Sequence, residues 1–106
     1  MAANLPLDLD ARDLAQVLSI LREQLPEYEI WAFGSRVAGR AKPYSDLDLA
    51  VLTDLPFSLE RMATINDAFD QSDLTIRVDV VDWAATSEAF RGIIERDKVI
   101  LQSGAK

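Results

Sequence analysis

A chain of 106 residues, 49% hydrophobic and 27% charged, has the size and make-up of one globular domain spanning 1–106, not of a disordered segment. It contains no Cys and no His, which excludes disulfides, thiolate and imidazole metal sites, thiol nucleophiles and Ser-His triads. Eighteen acidic against eleven basic residues give a net charge of −7, unfavourable for a phosphate backbone unless the few cations are concentrated in one place.

No apolar run is long enough to span a membrane, and Met1–Pro6 lacks a basic leader, so a soluble cytoplasmic domain is expected. Any chemistry must rest on Asp, Glu, Ser, Tyr, Lys, Arg or a metal held by carboxylates.

In chain order, Leu14, Val17, Leu18, Leu21 and Leu25 mark one face of a first helix, with Asp10 or Asp8 as its cap and Pro26 as its stop. Tyr28–Phe33 is aromatic and β-branched and ends at Gly34, which predicts a strand. Ser35–Lys42 suits one or two helical turns capped by Ser35 and closed by Pro43. Leu47–Leu52 reads as a second strand carrying Asp48 in an otherwise apolar run.

A helix is predicted over Ser58–Gln71, with Leu59, Met62, Ile65 and Ala68 or Phe69 inward. Ile76–Asp82 is a third strand, and Thr86–Arg96 a last helix presenting Phe90, Ile93 and Ile94. Lys98–Leu101 is short and apolar enough for a terminal strand. The order predicts an α/β domain of three to four strands covered by about four helices.

The acids are the informative residues. Asp46 and Asp48 stand at i and i+2, so at the start of an extended strand they project from the same side, about 7 Å apart along the backbone. Carboxylates that close repel unless a cation intervenes or water solvates both. Hard oxygen donors on a strand suit Mg²⁺, which takes a couple of carboxylates plus substrate phosphates. A turn acid followed by an edge acid is the plainer alternative.

Asp79 lies within Val78-Asp79-Val80-Val81, where burial of its charge requires a cation, a partner or water. If the second and third strands are neighbours, Asp79 completes a three-carboxylate cluster. A bridge to Arg77 is the competing account, and Asp82 the competing third acid, placed like a turn residue beside Trp83.

Gly34-Ser35-Arg36 supplies a tight turn followed by helical N–H groups that favour an anion. Arg36, Arg40 and Lys42 concentrate positive charge nearby. Gly34 and Gly39 have P-loop spacing, but Arg40-Ala41 stands where Lys-Ser/Thr is needed, so that motif is absent.

Gly34-Ser35-Arg36-Val37-Ala38-Gly39 followed by Tyr44-Ser45-Asp46-Leu47-Asp48-Leu49-Ala50-Val51 resembles the signature of the DNA polymerase β-like nucleotidyltransferase superfamily, in its minimal nucleotidyltransferase (MNT) branch. The G-S-x10-D-x-D spacing is met without insertion, and Val78–Asp82 resembles the strand of the third acid.

The resemblance implies a mixed sheet with the second and third strands paired. It implies that Gly34 and Ser35 hold nucleotide phosphate, with Arg36 as a further contact. Asp46, Asp48 and Asp79 would ligate two Mg²⁺ ions, and Asp79 would help deprotonate an attacking hydroxyl. The reaction would be attack on the α-phosphate of ATP with loss of pyrophosphate. Members of this branch resemble antitoxins whose partner is a small helical HEPN-domain toxin, modified on a tyrosine. The charge of −7 is compatible with a basic partner. The alternatives are a non-catalytic antitoxin that neutralises its partner by binding, and a small-molecule nucleotidyltransferase holding its acceptor between two protomers.

Overall fold

A computed structural model describes residues 7–104. Met1–Pro6, the segment read as lacking a basic leader, lie outside the described residues. Helix α1 spans Ala11–Gln24, and the Asp10 side chain caps it by accepting the Arg12 N–H. Its buried stripe is Val17, Ile20 and Leu21, continued by Leu25. Leu14 and Leu18, expected inward, are only partly buried. The helix is turned so that Asp13 faces in, where its carboxylate accepts bonds from the Thr75 N–H and hydroxyl. A partner 62 residues away fixed that rotation, and helical periodicity carries no trace of it.

Strand β1 is Glu29–Phe33, β2 is Leu47–Val51, β3 is Val78–Asp82 and β4 is Val99–Ser103. They form one mixed sheet in the order β3-β2-β1-β4. β1 lies antiparallel to β2 and β4, while β2 and β3 run parallel. The parallel pair needs a crossover, supplied by α3 (Leu59–Asp70) with Ser58 as its cap. Leu59, expected inward, is 91% exposed: as the first helical residue it precedes the stripe formed by Ile65 and Phe69, which are buried.

Alternation along the strands separates two faces. Ile30, Ala32, Leu47, Leu49, Val51 and Val80 meet α1 and α3 in one aliphatic core. Trp31, Phe33 and Ala50 face the other way, against Ile94 of α4 (Glu88–Asp97). α4 starts later than the sequence suggested because Trp83–Ala85 first makes a 3-10 turn, capped by Asp82. Its cap is Ser87, whose hydroxyl accepts from the Phe90 N–H. Trp31 packs edge-on against Trp83, and Phe33 against Phe90. Arg91 lies over the Trp83 ring and Lys98 over the Trp31 ring, which pins both ends of α4 to this face. No described helix is long and apolar enough to cross a membrane.

Candidate active site

The site begins where β1 ends. Phe33 pairs with Asp48 across the antiparallel ladder, so the next residue, Gly34, lies against the Asp48 side chain. Gly34 adopts φ 87°, ψ −157°, a region open essentially to glycine alone. A Cβ there would collide with the Asp48 carboxylate.

The short helix α2 follows, Ser35–Ala38. Ser35 was expected to cap it, but Gly34 is the N-cap and Ser35 the first helical residue, with no side-chain capping bond. The positive φ of Gly34 moves the start of the helix one residue earlier than a serine cap would. Gly39 ends it in the left-handed conformation.

On the other side of β2, Asp48 is the direct partner of Asp79 in the parallel ladder. Adjacent strands lie about 4.8 Å apart, so the two carboxyl groups leave one face side by side. Asp46, two residues earlier, is solvent-exposed at the rim. Asp48 is half-buried, and its pKa is pushed up to about 6, first by burial and then by the charges of Asp79 and Asp46. Asp79 has no ion pair with Arg77 among the described residues.

Asp82 points away from this group. It is buried and accepts the Phe57 N–H at 2.8 Å and the Ala85 N–H at 3.0 Å. It stands three positions after Asp79, an odd offset, so the pleat sends it to the opposite face.

Arg36, expected as a phosphate contact, is occupied elsewhere. It is 7% exposed, and its guanidinium donates to the carbonyls of Ser45, Asp8, Lys42 and Pro43. The arginines that line the acid pocket are Arg40 and Arg96. Arg40 belongs to the cluster of positive charge expected near the Gly-Ser turn, whereas Arg96 was not singled out by spacing, since α4 reaches the site only through the tertiary fold. That pocket, of about 270 Å³, has Gly34, Asp48 and Asp79 on one side and Phe90, Ile93 and Arg96 of α4 on the other. A larger groove of about 560 Å³ adjoins it through Val81 and Phe90 and is lined by Phe57, Leu59 and Met62, with neither Asp48 nor Asp79 in its wall.

The donors suit a hard cation: oxygen only, clustered, and raising the pKa of the innermost member. Among the described residues, no three acidic side chains converge on one point as placed. Mg²⁺ does not require three, because it completes its shell with water and substrate phosphate. The Asp48–Asp79 pair, with Asp46 at the rim, therefore fits that ion.

A four-stranded mixed sheet in this order, with a Gly-Ser turn set against a D-x-D strand, is a nucleotidyl-transfer architecture. The chain belongs to the nucleotidyltransferase domain family, whose model matches residues 14–103. It is 48% identical over 100 residues to the probable protein adenylyltransferase MntA of Haemophilus influenzae, covering 94% of this chain and 88% of that protein.

Among solved structures, a chain of a toxin–antitoxin with AMP-PNP aligns with TM-score 0.65 at 24% identity, over 85% of this chain and 73% of its own. A chain from a tri-AMPylated Shewanella oneidensis HEPN toxin in complex with MNT antitoxin aligns with TM-score 0.59 at 24% identity, over 87% and 71%. These structures share the fold.

Proposed function

We propose that this chain is a Mg²⁺-dependent protein adenylyltransferase, which moves AMP from ATP to a tyrosine hydroxyl of a helical HEPN toxin and so acts as its antitoxin in the cytoplasm. The observation that carries the reading is the register of β2. It sets Asp48 beside Asp79 on one neighbour and against Gly34 on the other.

Asp46, Asp48 and Asp79 would hold the two Mg²⁺ ions expected of the family. Bound Mg²⁺ supplies charge neutralisation of the triphosphate and acidifies the attacking hydroxyl. Gly34 lets the α2 backbone approach the phosphates closely, and Ser35 begins the turn that offers them N–H groups. The acceptor oxygen forms a bond to the α-phosphorus while the bond to the β-phosphate bridge oxygen breaks. Pyrophosphate leaves, and Asp79, exposed at the pocket mouth, takes the hydroxyl proton. Arg40 and Arg96 place positive charge on the same pocket. The 48% identity to a probable protein adenylyltransferase supports the nucleotide and acceptor class.

The test is label transfer. The chain is mixed with a HEPN toxin co-expressed from its own operon, Mg²⁺ and α-labelled ATP, beside the Asp46→Asn/Asp48→Asn double variant. Label on the toxin with wild type only is the expected result. A stable complex that takes no label from any nucleoside triphosphate would assign the chain to stoichiometric neutralisation instead.

A further inference from the structure

We infer that Arg36 is a positioning residue for Asp46, and that the segment ahead of α1 is built into the same device; the inference rests on the reading of Asp46 as a Mg²⁺ ligand. The stretch 39–46 sends no side chain into either core cluster. Lys42, Pro43 and Asp46 are exposed, and Tyr44 is 94% exposed. Apolar packing therefore does not fix its path, yet its last residue is an acid of the site.

What fixes the path is one buried side chain. The Nε of Arg36 donates to the Ser45 carbonyl at 3.0 Å, and Nη2 reaches the carbonyls of Lys42 and Pro43 at 3.4 and 3.3 Å. Within the turn, the Ser45 N–H donates to the Lys42 carbonyl, and the Lys42 N–H to the Ser45 hydroxyl. Immediately beyond Asp46, Leu47 is fully buried and its N–H donates to the Arg77 carbonyl. Asp46 is thus held from both sides, by Arg36 before it and by the sheet after it.

The fourth acceptor comes from outside the loop. Nη1 of Arg36 donates to the Asp8 carbonyl at 2.8 Å, while the Asp8 N–H donates to the Arg36 carbonyl at 2.7 Å. Residue 8 and residue 36 therefore bind each other through both backbone groups of Asp8, and Leu7 and Leu9 on either side pack on the core. A guanidinium buried without a carboxylate is costly unless its donors are satisfied, and here carbonyls satisfy them. The planar fork is what lets one residue bridge these carbonyls, and a lysine of equal charge cannot reproduce it.

The experiment separates a positioning residue from a phosphate contact, using the full chain. In Arg36→Met, amide exchange at Lys42 and Ser45 should accelerate. Mn²⁺ binding in the presence of ATP, read by electron paramagnetic resonance, should weaken by roughly 10-fold or more. The KM for ATP at saturating Mg²⁺ should stay within about 2-fold while kcat falls, as expected when the missing group does not touch the nucleotide. Arg36→Lys should behave like Arg36→Met, and free guanidinium should restore Arg36→Ala.

If Arg36→Lys keeps wild-type Mn²⁺ binding, or if Arg36→Met raises the KM for ATP with Mn²⁺ binding intact, Arg36 is a phosphate contact and the inference fails. Should Arg36→Met not fold, Asp8→Pro removes the N–H donor of the clasp at an exposed position. It should give the same changes in smaller measure, and no change in exchange at Lys42 and Ser45 would overturn the proposal. Exchange and Mn²⁺ binding are read without turnover, so a wild type that transfers no label would defeat the proposed function and leave this test standing.

Discussion

The two faces of the sheet are built on opposite rules. Against α1 and α3 lie aliphatic side chains closed from water, with Val17, Leu25, Ile30, Leu47, Leu49 and Ile65 fully buried. Against α4 lies a thinner aromatic layer around Trp31 and Phe33, and beside it, on the same face, stand Asp48 and Asp79. One face supplies the stability that lets the other keep like charges together. The difference makes a general point: a domain this small can hold a repulsive site only because a single strand serves both faces, alternating leucine and acid.

The comparison breaks most visibly at the acids. Asp48→Asn or Asp79→Asn should lower nucleotidyl transfer by about 10³-fold or more, measured as initial rate of label incorporation, with circular dichroism unchanged. Retention of full activity in either variant would remove the site from that face. On the aliphatic side the pattern should invert. Leu49→Ala or Ile65→Ala should cost about 2–5 kcal/mol in urea unfolding, and the folded fraction should turn over normally.

Gly34→Ala sits between the two regimes, since it strains the backbone and displaces the Asp48 carboxylate. A loss of about 1–3 kcal/mol is expected, together with a drop in kcat larger than that of the aliphatic variants. If activity survives while stability falls, Gly34 serves the turn and not the site.

The pH dependence sharpens the contrast further. The carboxyl of Asp48 titrates near 6 when folded against 3.8 ordinarily, so between those values the folded chain binds more protons than the unfolded. Stability of the metal-free protein should therefore decline as pH rises from about 4 to about 6, and stay lower above it. Asp48→Asn should remove that decline and leave the chain more stable than wild type at neutral pH, by on the order of 1 kcal/mol after solvent screening. Thermal melts in chelator across that range decide it. The smallest effect expected is at Lys98, whose ammonium lies 4.0 Å from the Trp31 ring centroid: Lys98→Gln should cost about 0.5–1 kcal/mol in the same melts.

The sequence carried the elements and the family, because both rest on local pattern: helical stripes of apolar residues, strands of β-branched residues, and an uninterrupted Gly-Ser to D-x-D spacing. It did not carry what depends on contacts between distant residues. The choice between Asp79 and Asp82 awaited the β2–β3 register, and the inward turn of Asp13 awaited Thr75. Arg36 was expected at phosphate because a guanidinium next to a Gly-Ser turn has the right charge for it, and nothing in its neighbours discloses that it donates to carbonyls at positions 42, 43, 45 and 8. Arg40 was legible only as nearby positive charge, and Arg96 went unassigned for the complementary reason that a pocket wall is made by the approach of two elements, 39–46 and α4.

The alternation in β2 also governs how this chain can change in length. Inserting or deleting one residue between Leu47 and Val51 would turn Asp48 into the aliphatic core and a leucine into the acid pocket. Folding and chemistry would then be lost in a single event, with no intermediate in which one survives. Drift in length is therefore directed to connections free of this coupling, such as the exposed stretch 54–56 between β2 and α3. Relatives should differ there by whole residues while keeping β2 at a constant count.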